Sequence, residues 1–176
     1  SAVVDEVQKM FTVGEIQKVM QGLLRERVSI RNTVAILETM ADYGSLTKRT
    51  EFLVEKVRQR LGRQICLQHC DDNKFLHIVT IEPSFIQKLV DSKYETSNGY
   101  GVMLDPVLQR QWIAALSNFI ASARDKGYFP VIVCPEEARI LVKRSTEREM
   151  PDLVVLSLQE IDKEIKYEVL GEVKVG

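Results

Sequence analysis

Cys66, His69, Cys70 and His77 are the residues whose types would suit a metal site, two thiols and two imidazoles in one short stretch. The alternating pattern around them predicts strands over 64–70 and 75–81, joined by a hairpin at Asp71-Asp72-Asn73-Lys74. In a strand, residues four apart are separated by about 13 Å, whereas a zinc–thiolate bond is only about 2.3 Å long. Cys66 and Cys70 then cannot share an ion, and His69 faces away from both. Packing is the expected role, and no metal is expected.

The same residue types could make a cysteine nucleophile. Cys134 closes an apolar run just before Pro135, where an α/β enzyme places functional groups and where a helix N-terminus could activate a thiolate. No third group orients it, and small buried cysteines are common in cores. A cysteine-dependent α/β enzyme is therefore the rival reading, and no catalytic residue is assigned. Gly99-Tyr100-Gly101 opens no helix with a basic residue, so no phosphate or nucleotide cofactor is implied.

Basic clusters raise the question of nucleic acid. Arg25, Arg27 and Arg31, and again Arg58, Arg60 and Arg63, could line up on phosphates, but Glu15, Glu26, Glu38, Glu51 and Glu55 lie among them. Such mixtures make solvated helix faces. Lys plus Arg number 24 against 25 Asp plus Glu, a net charge of −1, which offers no bulk attraction for a polyanion. Nucleic acid is not an expected partner.

The elements that must position these residues change character along the chain. Thr12 and Glu15 form a capping-box signature, followed by Ile16, Val19, Leu23 and Leu24 at helical spacing. Ser29 is the expected cap of a second helix that buries Ile30, Val34, Leu37, Met40 and Ala41 and ends at Gly44. A third starts near Thr50, buries Leu53, Val54, Val57 and Leu61, and stops at Gly62. Val3 to Phe11 adds a leading helix. From about 63 the period becomes that of strands. Phe75–Ile81, Phe129–Cys134, Leu153–Leu156 and Tyr167–Val175 read as strands. Pro83, Asp105-Pro106 and Pro135 open helices between them, and Tyr94–Met103 reads as a loop. Trp112 lies on the apolar stripe of the helix after Pro106. The expected class is α+β: a helical bundle over 1–62, then a mixed-sheet α/β subdomain over 63–176.

With 45% hydrophobic and 28% charged residues, 176 residues can bury a core under a polar surface. Three cysteines without an export signal predict no disulfide framework. No apolar run approaches the roughly 18 residues of a membrane span. A chain that opens Ser1-Ala2 rather than on Met is expected to be a piece of something longer.

Several segments resemble the cytosolic region of the type III secretion export-gate family. They are Val28-Ser29-Ile30-Arg31, Ile36-Leu37-Glu38-Thr39-Met40-Ala41-Asp42-Tyr43, and Thr47-Lys48 with the run from Val57 to Ile65. Leu104-Asp105-Pro106, Pro130 to Cys134, and Pro151 to Ser157 with Glu160-Ile161 follow in the family's order. The Ala-Asp-Tyr and Arg-Gln-Ile segments favour the flagellar (FlhA-like) branch over the virulence-injectisome (SctV-like) branch. The resemblance implies the last two subdomains of a large inner-membrane protein, on its cytoplasmic face. That protein's cytosolic part forms a nine-membered ring and receives export substrates, their chaperones and components of the ATPase complex. It implies no enzyme activity, cofactor or metal. Arg25, Arg27, Glu55 and Arg58 are the candidates for contacts with a neighbouring subunit.

Overall fold

The computed structural model describes residues 1–176, which divide into two units, Ser1–Ile65 and Cys66–Gly176.

The first unit is helical. It contains α1 (Ala2–Met10), α2 (Val13–Arg25), α3 (Thr33–Tyr43) and α4 (Thr50–Arg60), with the start of α5 (Gly62–His69). The capping box at α2 forms as its spacing predicts. Glu15 N–H donates to Thr12 Oγ1 at 3.1 Å, and Thr12 N–H to Glu15 Oε1 at 2.9 Å. The second helix starts later than expected. Asn32, whose Oδ1 accepts from Ala35 N–H, is its cap, while Ser29 accepts from Arg31 N–H in the preceding loop. Val19, Leu23, Ile36, Met40, Leu53 and Val57 form the core of this unit. Leu24 and Val34, expected inside, are 51% and 59% exposed. Each sits at the margin of its helix's apolar stripe, where a small rotation decides the side it faces. Gly44 ends α3 in a right-handed conformation. Its value lies in packing: an added Cβ would come within 2.8 Å of Met10 Sδ and 2.9 Å of the Phe11 ring. Gly62 does not stop the helical run; Leu61 caps α4 and Gly62 opens α5.

α5 is the main departure from the sequence reading. Residues 64–69 are helical, so no hairpin joins them to the next strand. Asp71 makes the connection instead, its Oδ1 accepting from Asn73 N–H at 2.8 Å and Phe75 N–H at 2.9 Å. Lys74 there takes φ 68°. An aspartate that bonds its own downstream amides imitates a turn without pairing two strands.

The second unit carries β1 (Phe75–Ile81), α6 (Pro83–Asp91), β2 (Lys93–Thr96), β3 (Gly99–Val102), α7 (Pro106–Asp125), β4 (Val131–Cys134), α8 (Glu136–Thr146), β5 (Val155–Ser157), a 3-10 turn (Leu158–Glu160) and β6 (Lys166–Val173). Parallel and antiparallel pairing occupy separate sheets. The main sheet runs β5-β4-β1-β6 with every pair parallel, and β2-β3 is an antiparallel ribbon where a loop was expected. Asp105 caps α7, accepting from Val107 and Leu108 N–H, with Pro106 in the first turn. Gly127 ends α7 at φ 88°, with Tyr128 N–H reaching back to Ala123 C=O. One face of the sheet packs against a core of Val79, Ile81, Phe85, Trp112, Leu116 and Ile132, among others. No helix of the chain is long and apolar enough to cross a membrane.

Candidate functional site

The four charged candidates occupy α2, its end, and α4. Gly22 lets these helices approach closely, since a Cβ there would stand 2.7 Å from Val54 Cγ2. Past that contact, Arg25 and Arg27 are exposed and Glu55 is half-buried. Each already has an interaction within the chain. Arg27 is unusual in its backbone. Its φ is 61°, with Arg27 N–H on Leu24 C=O and Val28 N–H on Leu23 C=O, the pattern that closes a helix through a left-handed residue. Glycine suits that position; an arginine there carries backbone strain.

Arg58 departs from expectation. It is 2% exposed, with Nη1 3.8 Å from Glu26 Oε1, because α4 turns it inward beside α2. A guanidinium so enclosed offers nothing to a neighbouring subunit. Glu38, among the basic residues of the first unit, pairs with Arg60 at 3.8 Å.

The thiols and imidazoles are rearranged by α5. Cys66 lies on α5 and Cys70 directly follows its last residue, so neither is in a strand and the strand argument against a shared ion does not apply. No three His, Cys, Asp or Glu side chains nevertheless come together in a way that could hold a metal. Cys66 is buried, its thiol reaching Glu160 C=O at 3.4 Å, and burial pushes its pKa up. Cys70 is half-buried, and burial followed by the Asp71 charge pushes its thiol up as well. Both are poor thiolates. Cys134 is 3% exposed and its thiol faces Leu156 C=O at 3.9 Å. A sulfur in that position cannot meet a substrate. His77 belongs to a different set, with Nε2 2.7 Å from Asp71 Oδ2.

Charged side chains also enter the second core, which their types do not announce. Arg139 and Glu160 are both 0% exposed and 3.8 Å apart, and Arg139 Nη1 donates to Val155 C=O. Lys143 Nζ donates to Leu153 C=O at 2.7 Å and Pro151 C=O at 3.2 Å. Together they fasten α8 to the connection before β5 and to the 3-10 turn after it. Trp112 is fully enclosed, its indole N–H on Ser145 Oγ at 3.0 Å and its ring against Phe85, so it anchors the core.

The large apolar side chains that remain outward are scattered. Val13 and Leu46 are 76% and 75% exposed in the first unit, and Met103 and Phe129 74% and 73% in the second. A cleft of about 300 Å³ beside Phe129 is lined by His69, Cys70, Arg124 and Asp152. Periodicity could not single these residues out, because each looks like a core residue in its own segment.

Comparison with known proteins places the chain among relatives. A family model described as FHIPEP family matches residues 1–166. The chain is 45% identical over 174 residues to the flagellar biosynthesis protein FlhA of Borreliella burgdorferi, covering 99% of this chain and 25% of that protein. It is 38% identical to the FlhA of Treponema pallidum, with 99% and 25% covered. The chain thus spans about a quarter of the length of these relatives. Among solved structures it is similar to nonameric EPEC SctV-C, with TM-score 0.87 and 30% identity over 98% of this chain and 52% of that one. It is also similar to a chain of the Chlamydia pneumoniae CdsV and CdsO complex, with TM-score 0.87, 26% identity, and 98% and 50% covered.

Proposed function

The chain belongs to the FHIPEP family, and from that premise we propose that it is the ring-building and docking portion of a flagellar type III protein export gate. The observation that carries the reading is 45% identity to a flagellar protein across 99% of the chain. The flagellar branch is favoured because both flagellar relatives, at 45% and 38%, exceed the 30% and 26% of the SctV and CdsV structures. The virulence-injectisome reading rests on the fold agreement with nonameric SctV-C. In the proposed setting the chain lies on the cytoplasmic face of the inner membrane, as part of a longer membrane protein. It works as two subdomains, 1–62 and 63–176, in a nine-membered ring, as the nonameric SctV-C supports.

The proposed partners are export substrates with their chaperones and components of the export ATPase complex; the CdsV–CdsO complex supports docking of a second protein on such a chain. Its role is binding rather than catalysis, consistent with the enclosed Cys134 thiol. Arg25, Arg27 and Glu55 remain the candidates for subunit contact, and Arg58 is withdrawn for the burial described above.

A chimera tests this reading. The matching quarter of the Borreliella FlhA is replaced by this chain and motility is measured. Restored swimming is the expected result. A chimera that accumulates to normal levels yet exports no flagellar protein would sink the flagellar assignment, and activity only when the chain is grafted into an SctV protein would favour the other branch. Arg27→Glu in the working chimera should impair export while the isolated chain keeps its fold; unimpaired export would remove Arg27 from the contact.

A further inference from the structure

β6 is an outer strand of the main sheet, and Lys166, Tyr167, Glu168 and Val169, its first half, are all exposed. The register sets Glu168 beside His77 of β1. His77 is 8% exposed. Its Nε2 lies 2.7 Å from Asp71 Oδ2, in the connection leading into β1. Its Nδ1 is buried with no hydrogen-bond partner, and Glu168 Oε2 stands 3.7 Å away, beyond hydrogen-bond length. The ring rests against Tyr128, centroid to centroid 4.8 Å. The titratable groups on the elements around it are Asp71, Asp72 and Lys74 in the connection, Lys166, Tyr167, Glu168 and Glu172 on β6, Tyr128 before β4 and Cys134 at its end.

The two nitrogens are not equivalent. The Phe75 N–H, and after it the His77 side chain, hold the Asp71 carboxyl below the usual aspartate range. An ionised carboxylate only accepts, so the imidazole N–H belongs on Nε2. A neutral ring then turns the Nδ1 lone pair toward the Glu168 carboxylate, two acceptors facing each other, with the buried one unsatisfied. A second proton converts Nδ1 into a charged donor aimed at Glu168. Because the Glu168 side chain is 54% exposed, it is free to swing and close the gap.

We propose that His77 is a proton-operated clasp on the sheet edge. Doubly protonated, it fastens the first half of β6, through Glu168, to β1 and the Asp71 connection; singly protonated, it releases that half. The first half of β6 is thus held when the ring carries two protons and released when it carries one. This does not depend on the export-gate reading, since every group involved lies within the second unit.

The test combines two measurements on the 176-residue chain. Ring nitrogen NMR follows the protonation of each His77 nitrogen, with His69→Gln to assign the two histidines. Amide hydrogen exchange, corrected for its intrinsic pH dependence, follows Tyr167 to Val169. Protection of those amides should fall about tenfold as His77 loses its second proton, roughly the worth of one charge-assisted hydrogen bond. The Glu172–Val173 end should not change. Glu168→Gln, at an exposed site, should keep the fold and abolish the drop. Level protection through the His77 titration, an equal drop in Glu168→Gln, or a folded-state ring that does not titrate would each overturn the clasp.

Discussion

Replacing Glu160 by Gln changes one charge in the second core and almost nothing else. Gln keeps an oxygen for the Ser157 N–H, which Glu160 Oε1 accepts at 3.3 Å, and keeps the side-chain volume. What it removes is the negative charge 3.8 Å from the Arg139 guanidinium, which is 0% exposed. Removing one partner of an enclosed pair costs about 3–5 kcal/mol. Arg139 still donates to Val155 C=O at 3.1 Å, which places the expected loss at the lower end, about 3 kcal/mol. With a urea slope of about 1–2 kcal/mol per molar for a unit this size, the unfolding midpoint should fall by roughly 2 M. Trp112 is the only tryptophan and lies in the same core, so its fluorescence reports this transition. Two controls isolate the cause. Glu38→Gln breaks the Arg60 pair, which has the same 3.8 Å separation but side chains 58% and 42% exposed. It should cost no more than about 1 kcal/mol by circular dichroism. Arg139→Met combined with Glu160→Gln removes the cation as well and should recover most of the loss. If Glu160→Gln costs no more than Glu38→Gln, burial does not set the strength of this pair and the reasoning fails.

Gly22→Ala gains helix propensity but drives a Cβ to 2.7 Å from Val54 Cγ2; a net loss of about 1–2 kcal/mol is expected by denaturant unfolding. Val54→Ala in the same chain should relieve part of it. Arg27→Gly relaxes the residue at φ 61° and should stabilise the first unit by about 0.5–1 kcal/mol, read as a raised melting temperature. Asp71 is held below the ordinary aspartate range by Phe75 N–H and His77, so its contribution is present above the unfolded aspartate value of about 3.9 and is lost as pH falls through the folded value. Unfolding midpoints measured from pH 5 downward should therefore drop less steeply in Asp71→Asn than in the unaltered chain. Timed alkylation followed by mass spectrometry should label the half-buried Cys70 before Cys66 and Cys134, all three reacting alike once unfolded; early labelling of Cys134 would reopen the cysteine-enzyme reading.

Local chemistry made much of this architecture legible in the residues. The Thr12–Glu15 box, the Asp105-Pro106 start and the Gly127 stop work through bonds within a few positions, so their spacing alone marks α2 and α7. β1 and β4 are apolar runs between turn residues, so their composition marks them, whereas the change of period expected near 63 falls inside α5 and strands begin only at Phe75. Tertiary structure decided the rest, for one physical reason: the partners are distant in sequence. Residues 64–69 have no strong helical stripe of their own, and α5 is fixed by what its buried side chains meet, as with Cys66 on Glu160 C=O at 3.4 Å. Arg58, Arg139, Lys143 and Glu160 read as surface residues by type. They are interior because Glu26, Val155, Leu153 and one another satisfy them there. His77 shows both sides of this. Its presence near Asp71 is written in the sequence, but only the pairing of β1 with β6 brings Glu168 to its other nitrogen.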